Sequence, residues 1–501
     1  MEVRTYLTPD SDGQTPSRDF ETAEALGIVR PSARRLRKIG LTGNLGKSER
    51  KVTQTASNRV EIPWGVSGET IELQLPVDWP EAEVVRPDLS VAIDDYARAL
   101  EQALDRPLGM EPIESFVGAG KTVSIVVDDP SRWTPVCDVL PVVLRRLSQA
   151  GVRDDDVSIS VGVGRHHAVD DSAMRERVGP AVFERYVCHS PPVDDLSKYE
   201  DLGKVADNIP VRVFRPVARA DLRILIGSVL PHLQAGFGGG YKLIFPGASH
   251  RSTLGALHRR GINSGDTGRR LGESASVNPM RQAIQQAATL LGPCVSISHL
   301  LGARGQVFDV VSGHPDEVQD RLASEVKRRF RAPDAPLADI LVAGNSPWPG
   351  DPMQSFKVLL NHRAATKPGG VLIGLFWAND EELDRSFPLP ALKAIALTGN
   401  WGGWALRKGL ALADAFVSHF HPSFEFMVKW ARELVVDRTI LIYSPLLFEK
   451  IGTHLGPIRV YREMEPLWRD ARRALGENPL PSIRVFPQAG LTYAPETSER
   501  L

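Results

Sequence analysis

The stretch PHLQAGFGGGYKLIFPGASHRSTLGALH holds the densest group of chemistry-bearing residues in the chain: His232, Gly236, Gly238, Gly239, Gly240, Lys242, His250 and His258. The four glycines leave the backbone free to take positive φ and to expose N–H groups, as close approach to a phosphate or a flat ring requires. A tight turn explains the same glycines, and the stretch matches neither GxxxxGK[ST] nor a GxGxxG set between a strand and a helix. Lys242 follows the glycines and precedes the apolar LIFPG. Desolvation there would lower its pKa and make it a nucleophile or a covalent attachment point; an ordinary surface lysine is the plain alternative. Ser252-Thr253 reads as a helix N-cap, which would project His258 from the first turns of a helix. His250, in the loop before it, competes for any metal role, and a packed histidine accounts for either.

Two further segments place polar groups at strand ends, where open α/β sheets carry their binding loops. Asp129-Pro130-Ser131-Arg132-Trp133-Thr134-Pro135 follows the run TVSIVVD. A guanidinium fixed at Arg132 and oriented by Asp129 can hold a carboxylate bidentately, although an Asp–Arg pair that only pins the turn fits equally well. Gly164-Arg165-His166-His167 follows VSISVGV. His166 and His232 thus form a candidate acid/base pair, because imidazole titrates near neutrality and inversion of a stereocentre needs a proton-transfer group on each face.

The elements that must position these groups read as an α/β protein. The β-branched TVSIVVDDP is followed by the helix-period CDVLPVVLRRLSQAG, then by VSISVGVG, LRILIGSV, CVSISHL and QVFDVVSG. After the helix HPDEVQDRLASEVKRRF and the proline-containing RAPDAPLAD comes a second series, DILVAG, GVLIGLF, TILIYS and SIRVFP. Such alternation implies two α/β domains with largely parallel sheets and ligand loops at the carboxyl ends of their strands, joined by a helical hinge. The expected division is an appendage at 1–58, a first domain at 59–314 carrying the lysine and histidines, a hinge at 315–336, a second domain at 337–480, and a strand and tail at 481–501. The appendage is rich in Ser, Thr, Gly and charge and reads as weakly packed; its basic residues, Arg30 to Lys38, read as one solvated helix face.

With 60 Lys+Arg against 61 Asp+Glu the net charge is -1, so no global field favours nucleic acid or an anionic membrane, and a small-molecule partner is expected. Cys137, Cys188 and Cys294 are odd in number, widely spaced and without a C-x-x-C pair, which points to a reducing cytoplasm rather than a disulfide scaffold. No apolar run has the length of a signal peptide core or a membrane span.

Taken in order and spacing, these motifs resemble the nickel-pincer-nucleotide lactate racemases. The likeness begins at EIPWGVSGETIELQLP, similar to the family's opening strand pair, and continues through RALEQALDRPLGMEPIESF to the DPSR turn, where Ser131 replaces the usual Thr and Trp133 a frequent Pro. It takes in Gly164-Arg165-His166, Pro231-His232 through Lys242, and His258. In the second half Met353-Gln354-Ser355-Phe356-Lys357 is similar to a Tyr-Gln-x-x-Lys element, with Met353 at the tyrosine, and Trp404, with Trp401 as its rival, stands for a pocket tryptophan. The resemblance covers 60–475.

It implies a racemase or epimerase of 2-hydroxy acids working by hydride transfer through a 2-keto acid. The implied cofactor is a pyridinium-3,5-bisthiocarboxylic acid mononucleotide holding nickel and linked through a thioamide to Lys242, with Gly238, Gly239 and Gly240 beside it and His258 as the protein's metal ligand. His166 and His232 would serve as the two bases. Asp129, Arg132, Gln354, Lys357 and Trp404 would hold the substrate in an active site in the cleft between the two domains, and domain closure would exclude water. Other proteins would make and load the cofactor. Met353 and Trp133 suggest a pocket for a longer acid than lactate, sugar acids included. The rivals are an NAD-dependent hydroxy-acid dehydrogenase, which lacks its GxGxxG here, and a non-catalytic organic-acid-binding protein, which would need none of these residues in combination.

Overall fold

The structure, a computed structural model, describes residues 52–164, 168–263, 270–348, 352–380, 434–476 and 478–495, with Leu383, Trp404, Ala405, Lys408 and Gly409. Arg50–Leu501 form one compact unit.

Two sheets organise it. The first has six strands in the order Val307–Gly313, Cys294–Leu301, Leu222–Ser228, Val123–Asp128, Val157–Gly162, Val187–His189, all parallel except Val307–Gly313 at one edge. All six residues of VSIVVD are buried, as in a parallel strand covered on both faces. Its side chains alternate: Val123, Ile125 and Val127 join one apolar cluster with the helix Val136–Gln149, and Val126 joins another with the hairpin Tyr199–Val205/Ile209–Phe214. The Val136–Gln149 helix buries Val136, Val139, Leu140, Val143, Leu144 and Leu147, a stripe at the three- and four-residue spacing of one helix face.

Strand order decides where a ligand can sit. After Val123–Asp128 the chain moves toward Val157–Gly162 on one side; after Leu222–Ser228 it moves toward Cys294–Leu301 on the other. These adjacent strands therefore flank a topological switch point, and the crevice beyond their carboxyl ends is where such sheets bind ligands.

The second sheet has eight strands in the order Thr53–Ser57, Ala82–Arg86, Ile483–Phe486, Ala338–Gly344, Thr366–Leu375, Thr439–Tyr443, Ile458–Tyr461, His454–Leu455, antiparallel only at its two outer pairs. Its switch point lies between Ala338–Gly344 and Ile483–Phe486. Every strand expected from the β-branched runs is present. The boundaries expected at 58, 59 and 481 do not follow the pairing: Ala82–Arg86 lies beside Ile483–Phe486, and the hairpin Arg59–Trp64/Glu69–Gln74 packs Val60, Ile62 and Leu73 on this second sheet with Ile340 and Val342. Alternation reveals an amphipathic hairpin but not which sheet it covers. Thr53–Ser57, placed in the appendage, is an edge strand whose residues are almost all exposed, so no apolar pattern marks it. The expected hinge helix, Pro315–Phe330, buries Val318, Leu322, Val326 and Phe330 against Phe237, Leu300 and Tyr493.

Candidate active site

The switch point of the first sheet brings Asp129, Arg132, His232 and Lys242 near one another. At the end of Val123–Asp128, the Asp129 carboxylate caps its own turn, with Oδ1 accepting from the Ser131 N–H at 3.0 Å, and faces the Arg132 guanidinium at 3.8 Å. At the end of Leu222–Ser228 the chain runs through Pro231–His232, pairs back with Gly236–Phe237, and enters a short 3-10 turn at Gly240–Leu243 that carries Lys242.

This turn needs glycine at particular places. Gly239 has φ +74, and a Cβ there would lie 2.8 Å from Val229 Cγ2 and 3.1 Å from the Ser228 carbonyl. Gly236 has φ +71, with the Glu273 carbonyl where a side chain would begin. Gly238 differs from expectation: its φ is not positive, its N–H donates to Leu230 O at 2.8 Å, and its carbonyl accepts from Gln319 Nε2 at 2.8 Å. It closes the turn rather than offering an N–H to a ligand.

Lys242 is partly accessible, yet its pKa is pushed down to about 7, first by burial and then by the charges of Arg132, Arg281 and Lys357, with Asp129 opposing. Near neutral pH a large share of such an amine is unprotonated and nucleophilic. Lys357 comes from the helix Pro352–His362, which starts beyond the carboxyl end of Ala338–Gly344 in the second sheet, so both switch points contribute to one cluster. Gln354, buried in the same helix, is one turn from Lys357, and Asn345 donates to Ser355 Oγ, next to Gln354, at 2.9 Å.

His232 and His258 differ in tautomer. Nδ1 of His232 accepts from the N–H groups of Gln234 (3.3 Å) and Ala235 (3.1 Å), so the neutral ring carries its proton on Nε2. Its pKa lies well below the usual imidazole value through burial and through Lys242, Lys357, His258 and Arg132. For Nε2 to act as a base the ring proton must move to Nδ1, which means turning off those two N–H groups. His258, buried on the helix Arg251–Asn263, is the reverse: Nδ1 donates to Leu254 O at 2.8 Å, leaving the lone pair on Nε2, the form that binds metals. The expected cap at Ser252-Thr253 is instead His250, whose Nδ1 accepts from the Ser252 N–H at 3.1 Å; that local role accounts for His250, and Thr253 Oγ1 accepts from Arg212 N–H.

His166 lies outside the described residues, as do Trp401 and the Met353 side chain. The strand leading to His166 ends against the lysine turn: a Cβ at Gly162 would meet Leu243 O at 2.8 Å, and Gly164 N–H donates to Gly247 O at 2.9 Å. Trp404 is 59% exposed, and the indole that stands against Arg132 is Trp348, which the sequence reading passed over. The guanidinium is 5.6 Å from its ring centroid, and Trp133 meets the same ring edge-on at 6.4 Å. Arg177 was also missed; its side chain lies beneath the Arg132 loop. Trp348 follows the strand DILVAG, so the strand-end rule that selected Arg132 would have selected it too. No comparable signal marks Arg177.

Residues 67–268 match the family described as lactate racemase N-terminal domain. Lactate racemase of Thermoanaerobacterium thermosaccharolyticum is 24% identical over 324 residues, 63% of this chain and 73% of that protein. Lactate racemase of Lactiplantibacillus plantarum is 25% identical over 319 residues, 59% of this chain and 74% of that protein. The solved structure of the lactate racemase apoprotein from T. thermosaccharolyticum shares the fold, with TM-score 0.70 at 17% identity over 87% of this chain and 100% of that one. A Thermotoga maritima protein of known structure follows at TM-score 0.51 and 13% identity, over 76% of this chain and 94% of that one. In sequence over part of its length, and in fold, the chain is similar to lactate racemases.

Proposed function

We propose that the chain is a 2-hydroxy acid racemase or epimerase that inverts the α-carbon through a 2-keto acid, using a nickel-pincer nucleotide tethered to Lys242. The observation that carries this reading is the Lys242 amine, held near neutrality at the switch point of a parallel sheet beside a glycine wall. The residues present fit the implied group. Lys242 is a nucleophile suited to a covalent link, Gly239 leaves no side chain beside Val229 and Ser228, and His258 has its Nδ1 donating to Leu254 O, the tautomer that puts the lone pair on Nε2. Among the described residues no three His, Cys, Asp or Glu side chains converge as a metal cage, so His258 would complete a coordination sphere whose other donors belong to the cofactor.

When bound, that cofactor would supply the hydride acceptor and donor at the α-carbon. The chain does the rest. Arg132 and Lys357 give the pocket an excess of positive charge that suits a carboxylate, Asp129 orients Arg132, and Gln354 holds the substrate oxygen. His232 presents its Nε2 proton to that oxygen, and turning its ring off Gln234 and Ala235 lets it take the hydroxyl proton instead. His166 serves the opposite face.

Protein from cells that also make the cofactor would be analysed by intact mass and metal content. Added mass on the Lys242 peptide with nickel near one per chain is the expected result; an unmodified, nickel-free chain from a host that loads a related racemase overturns the tether. A panel of hydroxy acids then defines the substrate. We place the preferred acid above lactate in size, with sugar acids included, because Met353 stands where the family has a tyrosine and Trp133 where it often has a proline. Lactate racemised fastest would overturn that preference. We place the enzyme in the cytoplasm, served by separate cofactor-synthesis and loading proteins: none of its three cysteines is in a disulfide, and among the described residues no helix is long and apolar enough to cross a membrane.

A further inference from the structure

Arg177 ends the helix Asp171–Val178, and its side chain is 8% exposed. Its guanidinium spends its hydrogen bonds on one loop. Nε donates to the Asp128 carbonyl at 3.0 Å, Nη1 donates to the carbonyls of Arg132 and Thr134 at 3.1 Å each, and Nη2 donates to the Asp128 carboxylate. The other oxygen of that carboxylate accepts from Thr134 Oγ1 at 2.6 Å. Three carbonyls spread over Asp128–Thr134 thus converge on one planar fork, and the residue in their midst is Arg132.

We propose that Arg177 is the positioning residue of the substrate-carboxylate loop: it holds the Asp128–Thr134 turn in the shape that presents Arg132, and affects the reaction only through Arg132. This rests on the reading that Arg132 binds the substrate carboxylate. Beyond the Arg177 bonds, the turn is held by short-range links such as Arg132 N–H to Asp129 O at 3.0 Å and Ser131 N–H to the Asp129 carboxylate. Those links lie within the turn itself. Arg177 adds a tie from outside it, joining the turn to the helix Asp171–Val178. A lysine can face the Asp128 carboxylate but cannot span three carbonyls, because its donors radiate from a single atom.

The test uses cofactor-loaded enzyme and the hydroxy acid of the panel that wild type turns over fastest. In Arg177→Lys the melting temperature and the cofactor mass on Lys242 should stay near wild type, while KM rises by about tenfold or more and kcat changes by less than about threefold, the signature of lost ground-state binding. The double variant Arg132→Gln/Arg177→Lys should be no worse than Arg132→Gln alone, because a residue that acts through another adds nothing once that other is gone. Should Arg177→Lys fail to fold, Asp128→Asn/Arg177→Gln removes both buried charges together and is read in the same way. An unchanged KM in folded Arg177→Lys, or additive losses in the double variant, overturns the proposal. If Arg132→Gln itself leaves KM untouched, or wild type turns over no hydroxy acid, the underlying reading falls and the proposal with it.

Discussion

The guanidinium of Arg132, at the end of the first sheet, stands over the indole of Trp348, at the end of the second, 5.6 Å from the ring centroid. Trp348 is itself tied down, with Nε1 donating to Gly490 O at 3.2 Å. The charge that would meet the substrate carboxylate is therefore fixed by Asp129 from its own loop and by an aromatic face from the other sheet.

Removing that face should weaken substrate binding before it affects chemistry. A cation–π contact of this kind contributes about 0.5–2 kcal/mol, so Trp348→Ala should raise KM roughly 2- to 30-fold, and Trp348→Phe, which keeps a ring, should recover much of the loss. Steady-state kinetics on the two variants checks this. Equal KM values in Trp348→Ala and wild type would mean the stack plays no part in holding Arg132.

Lys242 gives the fold a definite pH dependence before the cofactor is attached. Its folded pKa of about 7 lies below the ordinary 10.5, so the unfolded chain binds more protons between those values and stability rises with pH through that window. Lys242→Met lacks this slope. In the unloaded protein the variant should be the more stable by on the order of a few kcal/mol at and below neutral pH, with the gap closing toward pH 10.5. Urea denaturation of both proteins at pH 7 and pH 9.5 measures it; a constant gap would assign the effect to packing alone.

Gly239→Ala tests the wall beside the lysine. The new methyl would require a strained φ of +74 and a shift of Val229 or Ser228, at a cost of about 1–3 kcal/mol. Stability should fall by that much, and cofactor attachment should slow because Lys242 N–H bonds to the Gly239 carbonyl at 3.2 Å. Gly238→Ala, with no atom closer than 3.6 Å and ordinary φ, should be far milder. Comparable losses in the two variants would refute the distinction.

What the sequence made legible follows from the range of each signal. The strands VSIVVD, LRILIGS and ADILVAG are continuous apolar runs because both their faces are covered, and each stands where its run predicts. Asp129, Arg132, His232 and Lys242 were visible because strand ends and glycine turns are local features. The segment 53–86 was misplaced because its partner, Ile483–Phe486, lies at the far end of the chain, and strand pairing at that separation leaves no local trace. Arg177 was invisible for a similar reason: its three carbonyl partners are backbone atoms, which have no sequence signature. The tautomers of His232 and His258 depend on peptide groups in the same way.

Those tautomers make the last prediction. His258 should matter to the metal and His232 to turnover, because of these two it is His258 that has its Nε2 lone pair set by a carbonyl at Nδ1. In cells that make the cofactor, His258→Ala should keep the added mass on Lys242 but lose nickel. His232→Asn should keep both the mass and the nickel, with kcat reduced by about 10²–10⁴-fold, the usual contribution of a proton-transfer group, and His166→Asn should behave alike. Metal analysis, peptide mass and single-turnover racemisation separate the cases. Loss of nickel in His232→Asn with its retention in His258→Ala would reverse the two assignments, and the ring to be placed against the metal would then be the one whose Nδ1 accepts from Gln234 and Ala235.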